Sequence, residues 1–299
     1  MAVNRGFATA AASAAMVALA GAAHAQVAGR PTDWQLGFQK SATPVMDSVA
    51  EFHDLLLVII ALVSVFVLVL LAYVIWRYRE SKNPNPSKTT HHTLVEIVWT
   101  VVPILILVII AVPSFKLLYF SDESPDNVEL TIKTRGHQWY WVYEYPDNGN
   151  FTFESRMACR TKEECEKQAK NGKTPLRLLD VDNPMVVPVG TTIRVLVTAA
   201  NVIHSWTVPS FGNKIDAVPG RTNEIWIRVR EAGMYYGQCS ELCGVDHGFM
   251  PIAVKAVSKE AYKAWVAEAR NKFDKVEKTG ADATPKPPEP KRQTAAKAD

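Results

Sequence analysis

Charge is scarce in this sequence. Of 299 residues only 21% are charged, the formal net charge is +3, and residues 121–257 balance 17 acidic against 15 basic side chains. No basic stripe runs through that region, which argues against nucleic acid as a partner. Cysteine is rare too: Cys159, Cys165, Cys239 and Cys243 are all there are. Charge is missing altogether from residues 55–76, 22 positions, and from residues 97–115, 19 positions interrupted only by Pro103 and Pro113.

Those two runs are present where charge is not, and each is long enough to cross ~30 Å of hydrocarbon as a helix. Neighbouring helices can shelter the backbone groups that proline frees. Buried helices of a soluble protein are the plainer alternative, and two such runs in tandem weigh against it. The segment between them carries Arg77, Arg79, Lys82 and Lys88 against Glu80, whereas the outer flanks carry Asp47, Glu51, Asp54, Asp122, Glu123 and Asp126. Positive charge stays in the cytoplasm. This predicts a two-helix transmembrane hairpin over 53–120 with a cytoplasmic loop at 77–94. Residues 26–52 and everything after about 120 would then be periplasmic, and the chain multi-pass in a bacterial inner membrane. Residues 1–25 combine Arg5, an apolar centre and Ala23-His24-Ala25, the pattern of a cleaved signal peptide. The alternative, a retained first helix, is weakened by the short, alanine-rich run.

Beyond the hairpin, apolar and polar residues alternate over 128–133, 192–198, 223–230 and 252–257, with turn residues between. The spacing predicts an antiparallel sandwich or barrel over 121–257. Residues 156–177 break the pattern. There Thr161 and Glu164 have the spacing of a capping box, and Asn171-Gly172 reads as a helix stop. Residues 258–299 read as a helix followed by a Lys/Pro/Ala tail, disordered from about 277.

The stretch CSELCGVDHGFM, residues 239–250, concentrates soft ligands. Three chemistries compete for it. An oxidising compartment favours a disulfide between Cys239 and Cys243. Zinc would want further Cys or His partners and has no use for Met250. Thiolate, imidazole and thioether together are the set that selects copper. A mononuclear blue-copper site needs one cysteine, and here there are two; a pair of thiolates able to bridge argues for two copper ions. A second histidine must then come from His137 or His204.

With those residues in view, the sequence resembles subunit II of the haem–copper cytochrome c oxidases, in the aa3-like branch. The motifs are GHQWYWVYEY at 136–145, LLDVDNPMVVP at 178–188, HSWTVPSFGNKIDAVPGR at 204–221 and YYGQCSELCGVDHGFMP at 235–251. The resemblance implies a membrane α-helical hairpin plus an all-β cupredoxin-like Greek-key sandwich. It implies a binuclear copper centre, CuA, held by His204, Cys239, Cys243, His247, Met250 and the main-chain carbonyl of Glu241. The Glu241 carboxylate would face a Mg ion shared with subunit I, a hard oxygen ligand suiting that ion. Cytochrome c, soluble or membrane-anchored, is the implied donor, subunits I and III are the implied partners beside the lipid bilayer, and no haem is expected in this chain. Oxygen reduction and proton pumping would belong to subunit I.

Further roles follow residue by residue. Trp139, the tryptophan after Gly-His-Gln, would receive the electron, while Trp141 and Tyr143 read as strand packing. Asp180 and Asp182 match positions of an acidic docking face. Ala199-Ala200-Asn201 departs from relatives that are acidic just before the first histidine ligand. Glu96 suits the start of a helix through the helix dipole, and the resemblance adds the entrance of a proton path. Two rival families are a nitrous oxide reductase, which would need another large domain and no hairpin, and a quinol oxidase subunit II, which would lack the copper ligands. Last, Cys159 and Cys165 stand six apart in a segment with seven basic and three acidic residues. A disulfide is expected there, in an insertion held to the side of the docking face.

Overall fold

The computed structural model describes residues 29–170 and 172–277. The expected leader, the tail and Asn171 lie outside the described residues.

Helix α1 (Pro44–Arg77) begins where Thr43 takes an extended conformation and its hydroxyl accepts from the Met46 amide at 3.1 Å, with Pro44 in the first turn. A proline there costs no hydrogen bond, because the first amides of a helix have no partner within it. The same Thr43 hydroxyl donates to the Phe211 carbonyl at 2.6 Å. The first turn, with buried Val45 and Met46, is thus fastened to the β domain before the apolar run begins. Helix α2 (Thr93–Asp122) is capped by His92 and keeps Pro103 and Pro113 inside it. Both helices are long and apolar enough to cross a membrane. They face each other through Ile59, Leu62, Val63, Ile106 and Ile109, and most of their remaining apolar side chains point outward.

The helices are joined to the sandwich at two further points. Arg230 makes a two-pronged ion pair with Asp47, one prong measuring 3.0 Å. The Trp226 indole N–H donates to the Phe120 carbonyl at 3.1 Å, and its ring meets that of Phe120 edge-on.

Among the described residues ten strands follow: β1 (Leu130–His137), β2 (Tyr140–Tyr145), β3 (Phe151–Ser155), β4 (Met185–Pro188), β5 (Ile193–Ala199), β6 (His204–Val208), β7 (Asn213–Ala217), β8 (Asn223–Ile227), β9 (Gly233–Gln238) and β10 (Pro251–Val257). They form a five-stranded sheet ordered β3-β2-β1-β5-β8, a three-stranded sheet β4-β10-β9 and the ribbon β6-β7. The architecture is an all-β cupredoxin-like sandwich behind a helical hairpin. It departs from the expected all-antiparallel pairing, since β1 runs parallel to β5 and β4 parallel to β10. Alternation fixes which face is buried and says nothing of strand direction. Parallel neighbours need a long crossover, and 55 positions with three strands and the insertion separate His137 from Ile193.

The alternation is strict in β1 and β2. Leu130, Ile132, Thr134 and Gly136 of β1, and Trp141, Tyr143 and Tyr145 of β2, are buried on one face. Trp206, Phe211, Tyr235, Ile252 and Val254 meet them from across the core. Tyr145 fixes the layers by donating to the Val186 carbonyl and accepting from its amide, both at 2.9 Å. In the insertion, helix α3 (Lys162–Lys167) carries the full capping box between Thr161 and Glu164, and Cys159 is disulfide-bonded to Cys165 with Cα atoms 5.2 Å apart. The helix closes at Gln168, before the Asn171-Gly172 signal. Helix α4 (Lys259–Glu277) lays Trp265 and Phe273 against Phe151 and Phe153.

Candidate metal centre

Strand β6 places His204 at its first position, wholly buried, while the loop between β9 and β10 returns Cys239, Cys243, His247 and Met250 to the same end of the sandwich. Loop and strand are tied by the Ser240 amide donating to the Ser205 carbonyl at 3.0 Å. The thiol sulfurs lie 3.9 Å apart and are both free. That is nearly twice the ~2.05 Å of a disulfide, so the pair is open to other ligation. His204 Nδ1 is 3.8 Å from Cys239 Sγ, and His247 Nδ1 is 3.7 Å from Cys243 Sγ. Met250 Sδ stands 3.5 Å from Cys243 Sγ, and the Glu241 carbonyl oxygen 3.4 Å from Cys239 Sγ. The ligand atoms of His204, Cys239 and Cys243 all fall within 4.8 Å of one another.

His137 takes no part in this cluster. It stacks on Tyr140 with ring centroids 4.8 Å apart, so His204, not His137, joins His247 beside the thiols.

Electrostatics suit a soft cation. Burial pushes the His204 imidazole down to about 4, with His137 and His247 adding to the effect, so it is neutral. Burial, reinforced by the neighbouring Cys239, pushes the Cys243 thiol up to about 12. A neutral imidazole, and at Cys243 a thiol that ionises only against a compensating positive charge, are what a thiophilic metal takes, displacing the thiol proton. His204 Nε2 is buried without a hydrogen-bond partner, so the ring is held by packing rather than by a proton acceptor.

Three supports for this cluster were not readable as site residues from the sequence. Trp141, expected only to pack, is fully buried, meets the His204 ring at 5.9 Å and donates its indole N–H to the Met250 carbonyl at 3.3 Å. Gly136 leaves room for the imidazole: a Cβ there would stand 2.7 Å from His204 Cδ2. Arg160, from the insertion, pairs with Asp246 beside His247 at 2.7 Å and holds that carboxyl below the usual carboxylate range. The glycine of GHQW was a visible signal; the other two contacts depend on tertiary placement.

Trp139 is half-buried at the rim. Its indole N–H donates to the Cys243 carbonyl at 3.1 Å, and its ring lies against Gly244, where φ is +121° and a Cβ would come within 2.9 Å of Cζ2. Asn201, at the position that departs from acidic relatives, donates to the Gln138 side chain at 2.7 Å. Its amide steadies the turn carrying Trp139. Asp180 accepts from the Tyr236 hydroxyl (2.9 Å) and the Leu176 amide (2.7 Å); Asp182 accepts from the Arg156 and Asn183 amides (2.8 and 2.7 Å). Both carboxylates organise their own loop. Glu96 accepts from the His92 amide at 3.0 Å, a helix-capping contact. The insertion reaches the ligand loop through Arg160, and Leu178, just past it, accepts through its carbonyl from the Gln238 side chain at the end of β9. Sequence spacing gave no sign of this, since Arg160 and Asp246 are 86 residues apart.

Fold and site together define a membrane-anchored cupredoxin-like domain with a thiol, imidazole and thioether cluster at one end. Residues 130–257 match the sequence model of "Cytochrome C oxidase subunit II, periplasmic domain", and residues 31–117 that of its transmembrane domain. The chain is 51% identical over 245 residues to a probable cytochrome c oxidase subunit 2 of Rickettsia bellii, covering 82% of this chain and 87% of the relative. It is 48% identical over 246 residues to cytochrome c oxidase subunit 2 of Chondrus crispus, covering 80% and 92%. Among solved structures, the periplasmic domain of subunit II of cytochrome oxidase (CoxB) of Bradyrhizobium japonicum is 53% identical, covering 50% of this chain and 99% of that one, with a TM-score of 0.45. The chain belongs to the cytochrome c oxidase subunit II family. It is a subunit of a respiratory oxidase, and its two apolar helices fit an inner-membrane protein.

Proposed function

We propose that this chain accepts electrons one at a time from cytochrome c at a binuclear copper centre and passes them to haem in subunit I. There O2 is reduced to water and protons are pumped. The observation that carries this reading is a pair of free thiols 3.9 Å apart, each with an imidazole Nδ1 within 3.8 Å, a thioether 3.5 Å from Cys243 Sγ and a carbonyl 3.4 Å from Cys239 Sγ. The donor set fits copper better than zinc or calcium.

When bound, the metal pair supplies a one-electron carrier whose charge is shared between two ions. The chain's own residues do the rest. His204, Cys239, Cys243, His247, Met250 and the Glu241 carbonyl hold the pair, and the sandwich fixes them from both flanks, so little rearrangement accompanies transfer. Trp139 offers a π-face at the rim, and its N–H bond to the Cys243 carbonyl links that face to a ligand. The exposed Glu241 carboxylate is assigned to a Mg ion shared with subunit I. Asp180 and Asp182 contribute negative potential toward a basic donor, with their orientation set by the loop they organise. Glu96 is assigned to the cytoplasmic entrance of a proton path in addition to its cap. The copper domain and both termini are placed in the periplasm, with subunits I and III as partners in the bilayer.

The experiment is stopped-flow reduction of the purified complex by ferrocytochrome c. Trp139→Gln is expected to keep the copper spectrum and slow electron arrival at least tenfold. Wild-type rates in that variant would return Trp139 to packing.

A further inference from the structure

The disulfide-closed insertion lies against the part of the loop that supplies His247 and Met250. Arg160 donates from Nη1 to Asp246 Oδ1 at 3.1 Å and from Nη2 to Asp246 Oδ2 at 2.7 Å, a parallel two-pronged pair. Its guanidinium also lies over the Phe249 ring, 5.1 Å from the centroid. Asp246 precedes His247 and Phe249 precedes Met250. One side chain therefore holds both residues that lead into the last two ligands.

Arg160 is itself held. Its amide donates to Glu164 Oε2 at 2.8 Å, and its carbonyl accepts from Arg177 Nε at 2.8 Å. Cys159, next to it, is bonded to Cys165, and the Gln168 side chain donates to the Ala158 carbonyl at 2.9 Å. Capping box, disulfide and side-chain clamps thus fix the base from which the guanidinium reaches across. The loop it reaches needs such help. Leu242 and Val245 in its middle are 77% and 84% exposed and contribute little packing. Past Ser240, its own backbone bonds are the short turns from the His247 amide to the Gly244 carbonyl, 3.2 Å, and from the Phe249 amide to the Asp246 carbonyl, 2.9 Å. A planar fork that engages both carboxylate oxygens fixes orientation as well as distance, which a lysine ammonium does not.

We propose that Arg160 is a positioning residue for His247 and Met250, and that the insertion acts as a brace keeping the ligand turn closed. The consequence for metal retention rests on the copper reading of this site; the closure of the turn does not.

The test uses the purified oxidase complex carrying Arg160→Gln, Asp246→Asn, both together, or Arg160→Lys. Amide hydrogen exchange at His247 and Phe249 is measured beside the rate of copper loss to a chelator. The pair is partly exposed, its side chains 53% and 25% accessible, so each single change is expected to speed both processes by about two- to fivefold. The double variant is expected to match the singles, since the two residues act as one unit. Arg160→Lys is expected to recover only part of the protection. Wild-type exchange in both single variants overturns the brace, as do effects that simply add in the double. A wild-type complex without copper overturns the metal reading instead, and the exchange data then stand on their own.

Discussion

The hairpin and the sandwich use apolar residues in opposite ways. Leu68 of α1 is 64% exposed and Val195 of β5 is wholly buried, yet each suits its surroundings. In α1 and α2 apolar side chains cover every face, because hydrocarbon surrounds the helices and no face needs to be polar. In the sandwich, strands such as β1 bury every second residue, because one face meets the core and the other meets water or a second layer, while β4 is buried along its whole length. The hairpin needs composition alone. The sandwich needs register, and only register can bring His204 from one strand to a loop 35 residues further on. The site is therefore built where position is strictly specified, and the helices hold it near the membrane through Thr43, Arg230 and Trp226.

Substitutions that place one region's side chains in the other's surroundings have the largest expected effects. Trp141→Ala removes a buried ring that supports His204 and the bond to the Met250 carbonyl. It should cost about 3–5 kcal/mol in denaturant unfolding of the metal-free protein, whereas Leu68→Ala, facing lipid, should leave assembly levels unchanged. Leu68→Arg should instead cost about 3 kcal/mol of membrane insertion, seen as a loss of integrated protein in a topology assay. Cys159→Ser opens a short loop and should cost about 2 kcal/mol, with hydrogen exchange rising in the insertion and the ligand turn while the core strands stay protected. Smallest, Thr43→Ala removes the cap where the two regions meet and should cost about 1 kcal/mol, read as faster exchange at the Met46 amide alone.

How much of this was legible follows the same division. The uncharged runs marked both helices, although the Thr43-Pro44 start came earlier than the apolar run suggested, since capping and burial against the sandwich lie outside hydropathy. Alternation marked β1, β5, β8 and β10 but could not give the parallel pairings, which depend on how a long crossover is routed. The dense loop at 239–250 and the motif around His204 pointed to the ligand cluster, because thiols, imidazoles and a thioether are few and distinctive. The supports did not show: Trp141 beneath His204 and Arg160 on Asp246 are long-range contacts that no local spacing encodes. Asp180 and Asp182 matched positions of an acidic docking face, and only the fold reveals the amides and the hydroxyl that engage them.

Cys239 and Cys243 are proposed to hold two copper ions between them. Electron paramagnetic resonance of the oxidised protein, with copper quantified on the same sample, tests it most directly. Two coppers per chain and hyperfine splitting from one electron shared equally between them are expected, with Cys239→Ser and Cys243→Ser each abolishing that pattern. A signal confined to a single copper, or a shared-electron signal surviving in either serine variant, would contradict it.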